Sequence, residues 1–310
     1  MNLIYIAGDD RSGSTMLDMM LAGHSKISSV GEVHHLRAYA KKDHQYYKSV
    51  HELLCLCGQD IKDCEFWSNV ESALGRKLEE LELKPFFLRS NFKGKVFQGI
   101  LKKIIWHSLQ VFPKLYNIET VHNLLRGNIL AKDSFDLYNA VSCVTGNEYV
   151  LDSSKSPLRM RALAYHKPES MKVILLSRDF KGVINSKHKR GIPMLKAAYH
   201  WKWCIRQMEL FSLILADNQI CRVRYEDLCN NTESEMRKIT DFLGLSFEQS
   251  ILTRNAENVH HLGGSPSKYA GKEAPIKIDE SYKNKFTENQ VNKLFKIVEN
   301  EAKMWGYDVV

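Results

Sequence analysis

Short apolar runs alternate with longer amphipathic segments along most of the chain. Short apolar runs are typical of buried strands, and apolar residues spaced three and four apart indicate helices with one buried face. Strands are predicted at residues 2–7, 148–153, 171–177 and 219–225, with a weaker one at 27–30. Helices are predicted at residues 15–22, 156–166, 181–189, 196–217, 233–243 and 288–304. This alternation predicts an α/β domain with a mainly parallel sheet.

Two segments interrupt the alternation. Residues from about 43 to 132 are rich in aromatic side chains, and we interpret them as a mostly helical insertion or cap on a single domain spanning 1–310. Residues from about 260 to 278 are rich in Gly, Ser, Pro and Lys and predict a long loop. Long loops inside a domain are usually functional or mobile, so this one resembles a lid.

Composition narrows the class of ligand. The 310 residues include 44 Lys and Arg against 36 Asp and Glu, a formal net charge of +8 that favours an anionic partner. No long Lys/Arg run accompanies this surplus, so a nucleotide-sized anion is expected instead of a nucleic acid.

Neither a secretory signal nor a membrane-spanning stretch is evident, which predicts a cytoplasmic protein.

The first predicted strand leads into GDDRSGST, Gly8 to Thr15. Its glycine spacing is that of a nucleotide-triphosphate loop, but Ser14 stands where that motif has lysine. Glycines and a helix N-terminus can still bind a phosphate through backbone N–H groups. In triphosphate enzymes the lysine contacts the β- and γ-phosphates during phosphoryl transfer, so its absence argues only against that chemistry. The stretch therefore predicts a phosphate site other than that of an ATPase, with a simple helix-capping turn as the alternative. Candidate ligand-binding residues are Arg11, Ser12, Gly13, Ser14 and Thr15.

A second candidate motif is LLSRDFKGVINSKHKRG, residues 175–191. Arg178 is predicted at the carboxyl end of a strand, and Ser186 about a turn and a half into the next helix. Ligands of open parallel sheets bind at that edge, where an arginine and a hydroxyl could hold a second phosphate. Alone, the spacing is weak evidence, because Arg178 could pair with a nearby acid and Ser186 could lie on a helix surface.

Taken together, the two motifs resemble those of the sulfotransferases that use 3′-phosphoadenosine 5′-phosphosulfate, in particular bacterial, carbohydrate-type and tyrosylprotein-type enzymes. RSGST (11–15) is similar to the family's 5′-phosphosulfate loop, RDFKGVINS (178–186) to its 3′-phosphate element, and VRYEDL (223–228) to its YEDL element. The second motif departs from the family in having Phe180 where proline is common. The resemblance implies a P-loop-like three-layer sandwich, in which Arg178 and Ser186 bind the 3′-phosphate and Tyr225 lies near the adenine.

The resemblance also implies the reaction and its components. The donor would be 3′-phosphoadenosine 5′-phosphosulfate, its product 3′-phosphoadenosine 5′-phosphate, and the acceptor a hydroxyl of a carbohydrate, lipid, tyrosine or small molecule. No metal would be required. Two alternatives stay open: a nucleotide-binding protein without catalytic activity, and a phosphotransferase with a degenerate loop.

Sulfuryl transfer needs a general base for the acceptor and a cation for the leaving oxygen. Glu32, in SSVGEVHHL, is the first candidate base, because a similar Gly-Glu segment follows the loop helix in tyrosylprotein-type and carbohydrate-type relatives. His34 and His35 are rivals, since a neutral imidazole is a natural base near neutral pH. Lys155, in LDSSKSPLR, is the candidate cation. Each could instead be an ordinary surface side chain.

Cys55, Cys57 and Cys64 form a C-x-C-x6-C cluster. Three such thiols could bind zinc, form one disulfide or pack as a buried turn, and zinc would require a fourth ligand such as His44 or His51. A similar segment occurs in some bacterial sulfotransferase-like proteins, which favours a structural interpretation. In the predicted lid, Lys268 and the glycines before it resemble the loop that closes over the 3′-phosphate in this superfamily, although a plain loop is equally consistent.

Overall fold

The computed structural model describes residues 1–42, 54–85, 119–124, 126–254, 259–269, 275–283 and 285–309. Five strands of this part of the chain form one sheet in the order β2-β3-β1-β4-β5, and every pairing is parallel. The strands are β1 (Asn2–Gly8), β2 (Ile27–Gly31), β3 (Tyr149–Lys155), β4 (Met171–Ser177) and β5 (Ile220–Arg224). All five predicted strands, including the weak one, are confirmed to within two residues.

The sheet lies between two hydrophobic cores. Successive residues of β1 alternate between them: Leu3, Tyr5 and Ala7 pack into one core, and Ile4 and Ile6 into the other. This is the side-chain alternation that a strand requires, and because both faces of β1 are buried the strand reads as a continuous apolar run. The fold is therefore the predicted P-loop-like three-layer α/β sandwich.

Helices cover both faces of the sheet. In chain order they are α1 (Ser14–Leu21), α2 (Leu36–Lys41), α3 (Glu65–Leu74), α4 (Glu119–Leu124), α5 (Gly127–Thr145), α6 (Pro157–His166), α7 (Phe180–His188), α8 (Met194–Ser212), α9 (Tyr225–Asn230), α10 (Thr232–Leu243) and α11 (Glu288–Met304). Helices α1, α9 and α10 bury residues in the core that contains Ile4, while α5 to α8 and α11 bury theirs in the core that contains Leu3. No helix of the described residues combines the length and hydropathy needed to cross a bilayer.

The helices differ from the prediction in three places. Helix α8 ends at Ser212 instead of residue 217, because Asp217–Gln219 forms a 3-10 turn whose Gln219 side chain donates to the backbone oxygens of Pro168 and Met171. Tyr225, predicted at the end of a strand, begins α9, where acidic residues in the first turn favour a helix N-terminus. The 19-residue helix α5 was not predicted as a separate element.

Much of the predicted insertion, including His44 and His51, lies outside the described residues. The described part packs on the Leu3 core through residues that include Cys64, Trp67 and Val70. Helices α3 and α4 lie within this stretch, whereas residues 54–64 form no helix, so a mostly helical insertion stays a prediction.

Candidate active site

The Gly8–Thr15 loop joins β1 to α1 at the carboxyl edge of the sheet. Gly13 has a left-handed backbone (φ 93°), and a Cβ there would lie 2.5 Å from a ring carbon of Tyr225, so only glycine fits. Its neighbour Arg11 also has a positive φ, 74°. The N-terminus of α1 has no side-chain cap, so its first backbone N–H groups remain available to an anion.

A cavity of about 620 Å³ opens in front of this loop. Its wall carries six cationic and three anionic side chains, a surplus that suits an anionic ligand. The cations are Arg11, Lys155, Arg178, Lys187, Arg190 and Arg254, and the anions are Asp10, Glu32 and Asp279. Of the other predicted binding residues, Gly13, Ser14, Thr15 and Tyr225 also line the cavity.

Arg11 connects the two motifs. Its Nε donates a hydrogen bond to Ser186 Oγ (2.8 Å), and its Nη1 donates to Ser265 Oγ (3.3 Å). Ser186 itself does not line the cavity, and Ser12 is buried beneath the loop with its hydroxyl unbonded. In this conformation, then, Ser186 and Ser12 support the wall of the cavity, while Arg11 is part of it.

Arg178 lines the same cavity and lies next to Arg11. Its Nη1 donates to the backbone oxygen of Arg11 (3.2 Å), and its Nη2 donates to the backbone oxygen (2.9 Å) and Oδ2 (3.2 Å) of Asp279. The guanidinium carbon lies 4.6 Å from the centroid of the Tyr225 ring. Tyr225 Oη in turn donates to the backbone oxygen of Lys277 (3.1 Å) and accepts from the backbone N–H of Asp279 (3.3 Å). We call residues 277–281, which carry Asp279, the outer strap.

Glu32 and Lys155 form an ion pair beside the loop. Lys155 Nζ lies 2.5 Å from Glu32 Oε1 and 3.7 Å from Asp10 Oδ1. Burial alone would lower the pKa of Lys155, but these two carboxylates outweigh it and raise that pKa, so the ammonium is charged at neutral pH. Lys155 also adopts a positive φ of 65°, and strained backbone of this kind clusters at functional sites.

The two rival bases lie next to Glu32 in a short 3-10 helix, Val33–His35. Burial lowers the pKa of His34 well below its usual value and that of His35 to about 4. Both imidazoles are therefore neutral at pH 7. His35 Nε2 lies 3.6 Å from Glu32 Oε2, whereas the Nδ1 atom of His34 has no hydrogen-bond partner.

A second cavity, of about 600 Å³, meets the first one at the Glu32–Lys155 pair. The two share Asp10, Glu32, His35 and Lys155. Most of the surface of the second cavity is apolar, with Leu158, Tyr199, Trp203 and Cys204 in its wall, and Asp9, Lys84 and His200 line it as well. Candidate acid–base residues therefore lie where a mainly cationic cavity and a mainly apolar cavity join.

Part of the predicted lid is incorporated in the fold. We call residues 259–265 the inner loop. Leu262 forms a parallel bridge with Gly31, at the edge of the sheet, and its backbone oxygen accepts from the N–H of Glu32 (2.7 Å). Gly263 has a φ of 69°, and a Cβ there would lie 2.8 Å from that of Glu32. Lys268 points back onto this loop, donating to the Gly263 oxygen (2.7 Å), and residues 270–274 lie outside the described residues.

Several lining residues were not predicted. Asp10 lies inside the Gly8–Thr15 loop, and Arg190 ends the basic run KHKR near the end of the second motif. Lys187 begins that run, and its Nζ binds both carboxylate oxygens of buried Asp9 (2.7 and 2.6 Å). No local signal indicated Arg254 or Asp279, because loops bring them to the cavity from distant parts of the sequence.

Comparison with known proteins identifies the family. A model of the family described as "Sulfotransferase family" matches residues 4–249, so this chain belongs to the sulfotransferase family. It is 36% identical to the "Putative protein-tyrosine sulfotransferase" of Caenorhabditis briggsae over a stretch that covers 26% of this chain and only 31% of that relative.

Solved structures support the fold. The sulfotransferase domain of the Synechococcus PCC 7002 olefin synthase matches with a TM-score of 0.58 at 20% identity, covering 99% of this chain and 94% of that one. The sulfotransferase domain of the curacin biosynthetic pathway matches with a TM-score of 0.55 at 20% identity, covering 99% and 98%. Sulfotransferase STF9 from Mycobacterium avium matches with a TM-score of 0.51 at 10% identity, covering 99% and 77%.

Proposed function

We propose that this sulfotransferase moves a sulfuryl group from 3′-phosphoadenosine 5′-phosphosulfate to a hydroxyl of an acceptor. One observation carries the proposal: the wall of a single cavity holds both the phosphate-type loop with Arg11 and the Arg178 guanidinium, which lies against the Tyr225 ring. Two guanidinium groups in one cavity suit a ligand with more than one anionic group. The lysine that a triphosphate loop uses for phosphoryl transfer is replaced by Ser14.

The chain's own residues fit this donor. The uncapped N-terminus of α1 and the Arg11 guanidinium would hold the 5′-phosphosulfate, and the Arg178 guanidinium the 3′-phosphate. Tyr225 offers its ring to the adenine end. When bound, the donor supplies an activated sulfuryl group on a phosphate leaving group.

The junction of the two cavities is where transfer would occur. A hydroxyl in the second cavity would face Glu32, which accepts the proton as the hydroxyl attacks. Lys155, now paired with Glu32 and Asp10, is the cation within reach for the charge on the leaving oxygen. The apolar wall with Tyr199 and Trp203 favours an acceptor whose hydroxyl is carried on an apolar or aromatic body.

Donor binding is tested by thermal unfolding with 3′-phosphoadenosine 5′-phosphate, ADP and ATP. A ligand at a hundredfold excess over its Kd stabilises the native state by about 2.7 kcal/mol. The bisphosphate should raise Tm more than ATP does, and Arg178→Ala should remove most of that shift. Arg206→Ala, at an exposed position of α8, is the matched control and should respond like wild type. An equal response to ATP would refute the donor assignment.

The roles at the junction are tested by transfer of radiolabelled sulfuryl groups to a panel of phenols, alcohols and sugars. Glu32→Gln should lower kcat by about 10²–10⁴-fold, the range for loss of a general base, while leaving bisphosphate binding intact. His35→Gln should have a smaller effect on kcat. A larger loss in His35→Gln than in Glu32→Gln would reassign the base, and tight bisphosphate binding without transfer to any acceptor would indicate a non-catalytic nucleotide-binding protein.

A further inference from the structure

The cysteine cluster acquires a fourth partner from a distant part of the chain. His260, at the start of the inner loop, joins Cys55, Cys57 and Cys64, and the four potential ligand atoms all lie within 4.8 Å of one another. The sequence alone suggested His44 or His51 as this partner. Those two residues lie outside the described residues, and His260 is separated by 196 positions from Cys64, the nearest cysteine of the cluster.

The spacing of these atoms matches tetrahedral zinc. With Zn–S bonds of about 2.3 Å and Zn–N bonds of about 2.0–2.1 Å, a tetrahedron places sulfurs about 3.8 Å apart and sulfur about 3.6 Å from nitrogen. Cys64 Sγ lies 3.7 Å from Cys57 Sγ and 3.9 Å from Cys55 Sγ. His260 Nδ1 lies 3.2 Å from Cys64 Sγ and 3.7 Å from Cys55 Sγ. The sulfurs are thus in contact without being bonded as a disulfide, and all seven cysteines are free.

The surroundings support metal-bound thiolates. The backbone N–H groups of Cys57 and Trp67 donate to the sulfurs of Cys55 and Cys64. Cys64 directly precedes α3, whose N-terminal dipole favours negative charge. The His260 ring stacks on Phe66 at a centroid distance of 4.5 Å, which orients the imidazole. Supporting contacts of this kind hold the ligands of a metal site in place.

We propose that Cys55, Cys57, Cys64 and His260 bind one structural zinc ion that ties the inner loop to residues 54–64. Each thiol releases its proton to solvent on binding, and the neutral imidazole completes four protein ligands. A site closed by four protein ligands leaves no position for a substrate, so its role is structural. This role is separate from the proposed transfer chemistry and does not depend on the identity of the donor.

Through the inner loop, the zinc would hold the part of the cavity wall that contains Arg11 and Thr15. Next to His260, the His261 oxygen accepts from the Leu56 N–H (3.2 Å), and Leu262 pairs with the edge of β2. Three residues farther on, Ser265 accepts from Arg11 and its N–H donates to Thr15 Oγ1 (3.0 Å). A metal at His260 would therefore fix the start of the segment that contacts the phosphate-type loop.

The first test is the metal content of the purified wild-type chain, measured by mass spectrometry. One zinc per chain is expected, with tetrahedral thiolate absorption when cobalt(II) replaces zinc. Cys57→Ser is the preferred variant, because Cys57 is exposed and its loss should leave the fold intact while weakening zinc binding about tenfold or more. The control is Cys143→Ser, an exposed thiol elsewhere, which should retain full zinc. Absence of zinc binding, a different stoichiometric metal or a Cys57–Cys64 disulfide would overturn the proposal.

The second test is hydrogen exchange before and after removal of zinc with a chelator. The backbone amides of Leu262 and Ser265 belong to the inner loop, and that of Glu32 donates to it. All three should exchange faster in the metal-free protein. The central β1 amides should not change. His260→Ala should reproduce this pattern, and His166→Ala, an exposed histidine at the end of α6, should not. Unchanged exchange in the inner loop would show that the metal does not anchor it.

Discussion

The donor cavity is covered by the inner loop at Arg11 and by the outer strap at Arg178, and we call these two regions the Arg11 end and the Arg178 end. At the Arg11 end, the inner loop pairs with β2, and its His261 forms a fully buried contact with Asp18 (3.0 Å). At the Arg178 end, the outer strap accepts a hydrogen bond from Tyr225 Oη and contacts Arg178 through Asp279, whose side chain is 47% exposed. The first cover is part of the scaffold, whereas the second is a surface segment resting on the guanidinium that the proposed 3′-phosphate would use.

The difference indicates that the Arg11 end contributes to stability and the Arg178 end to ligand affinity. Buried polar groups are costly to separate, so the inner loop should remain in place whether or not a ligand is bound. The Asp279 carboxylate is half exposed, so water weakens its ion pair with buried Arg178 and the outer strap can exchange this carboxylate for a ligand anion. We expect substitutions at the first end to change stability and substitutions at the second end to change affinity.

The largest expected effect is on stability, from Asp18→Ala. The Asp18 carboxylate accepts from Ser29 Oγ (2.5 Å) and contacts His261 Nε2, and all of these groups are buried. Its removal leaves two buried polar groups without that partner, so the free energy of unfolding should fall by about 3 kcal/mol. Urea denaturation measures the change. Asp279→Ala, which removes a carboxylate at the other end, should stay within roughly 0.5 kcal/mol of wild type, and equal losses would contradict the comparison.

The contrast between the two ends also explains what the sequence could predict. The strands, the Gly8–Thr15 loop and the Arg178 position follow from local patterns, since each is encoded by neighbouring residues. The contact of Arg11 with Ser186, the pairing of Leu262 with β2 and the approach of Asp279 to Arg178 depend on long-range packing. The glycines of HHLGGS indicated a close packing contact, and Gly263 does pack closely against Glu32. The sequence alone did not identify Glu32 as the partner.

The second effect is a difference in pH dependence between the two ends, because His35 lies 3.6 Å from Glu32, against which the inner loop packs. The pKa of His35 is lowered by burial from 6.5 to about 4, so between these values the unfolded chain binds a proton that the folded chain excludes. The free energy of unfolding should therefore fall as the pH drops from about 6.5 to 4, by on the order of 2–3 kcal/mol for this group. In His35→Gln, pH-dependent urea denaturation should give a flatter profile in this window.

The Asp279 contact should respond only at lower pH. Burial acts to raise the pKa of Asp279, but hydrogen bonds from Ser281 and Arg178 outweigh it and lower that pKa below 3.8. Its stabilising contribution is present above 3.8 and is lost as the pH falls through the folded-state pKa. A profile for Asp279→Asn that differs from wild type between pH 4 and 6.5 would show that the two ends are not separable in this way.

The smallest expected effect is a gain in affinity from Asp279→Ala. If the outer strap and the 3′-phosphate compete for Arg178, removing the carboxylate should tighten binding of 3′-phosphoadenosine 5′-phosphate by a few-fold, about 1 kcal/mol or less for an ion pair with one half-exposed partner. Isothermal titration calorimetry measures this Kd. Glu280→Ala is the matched control, because it makes the same charge change one residue away, where the carboxylate pairs with Lys283. A tighter Kd in both variants would reflect net charge alone, and a weaker Kd in Asp279→Ala would mean that the strap assists ligand binding instead of competing with it.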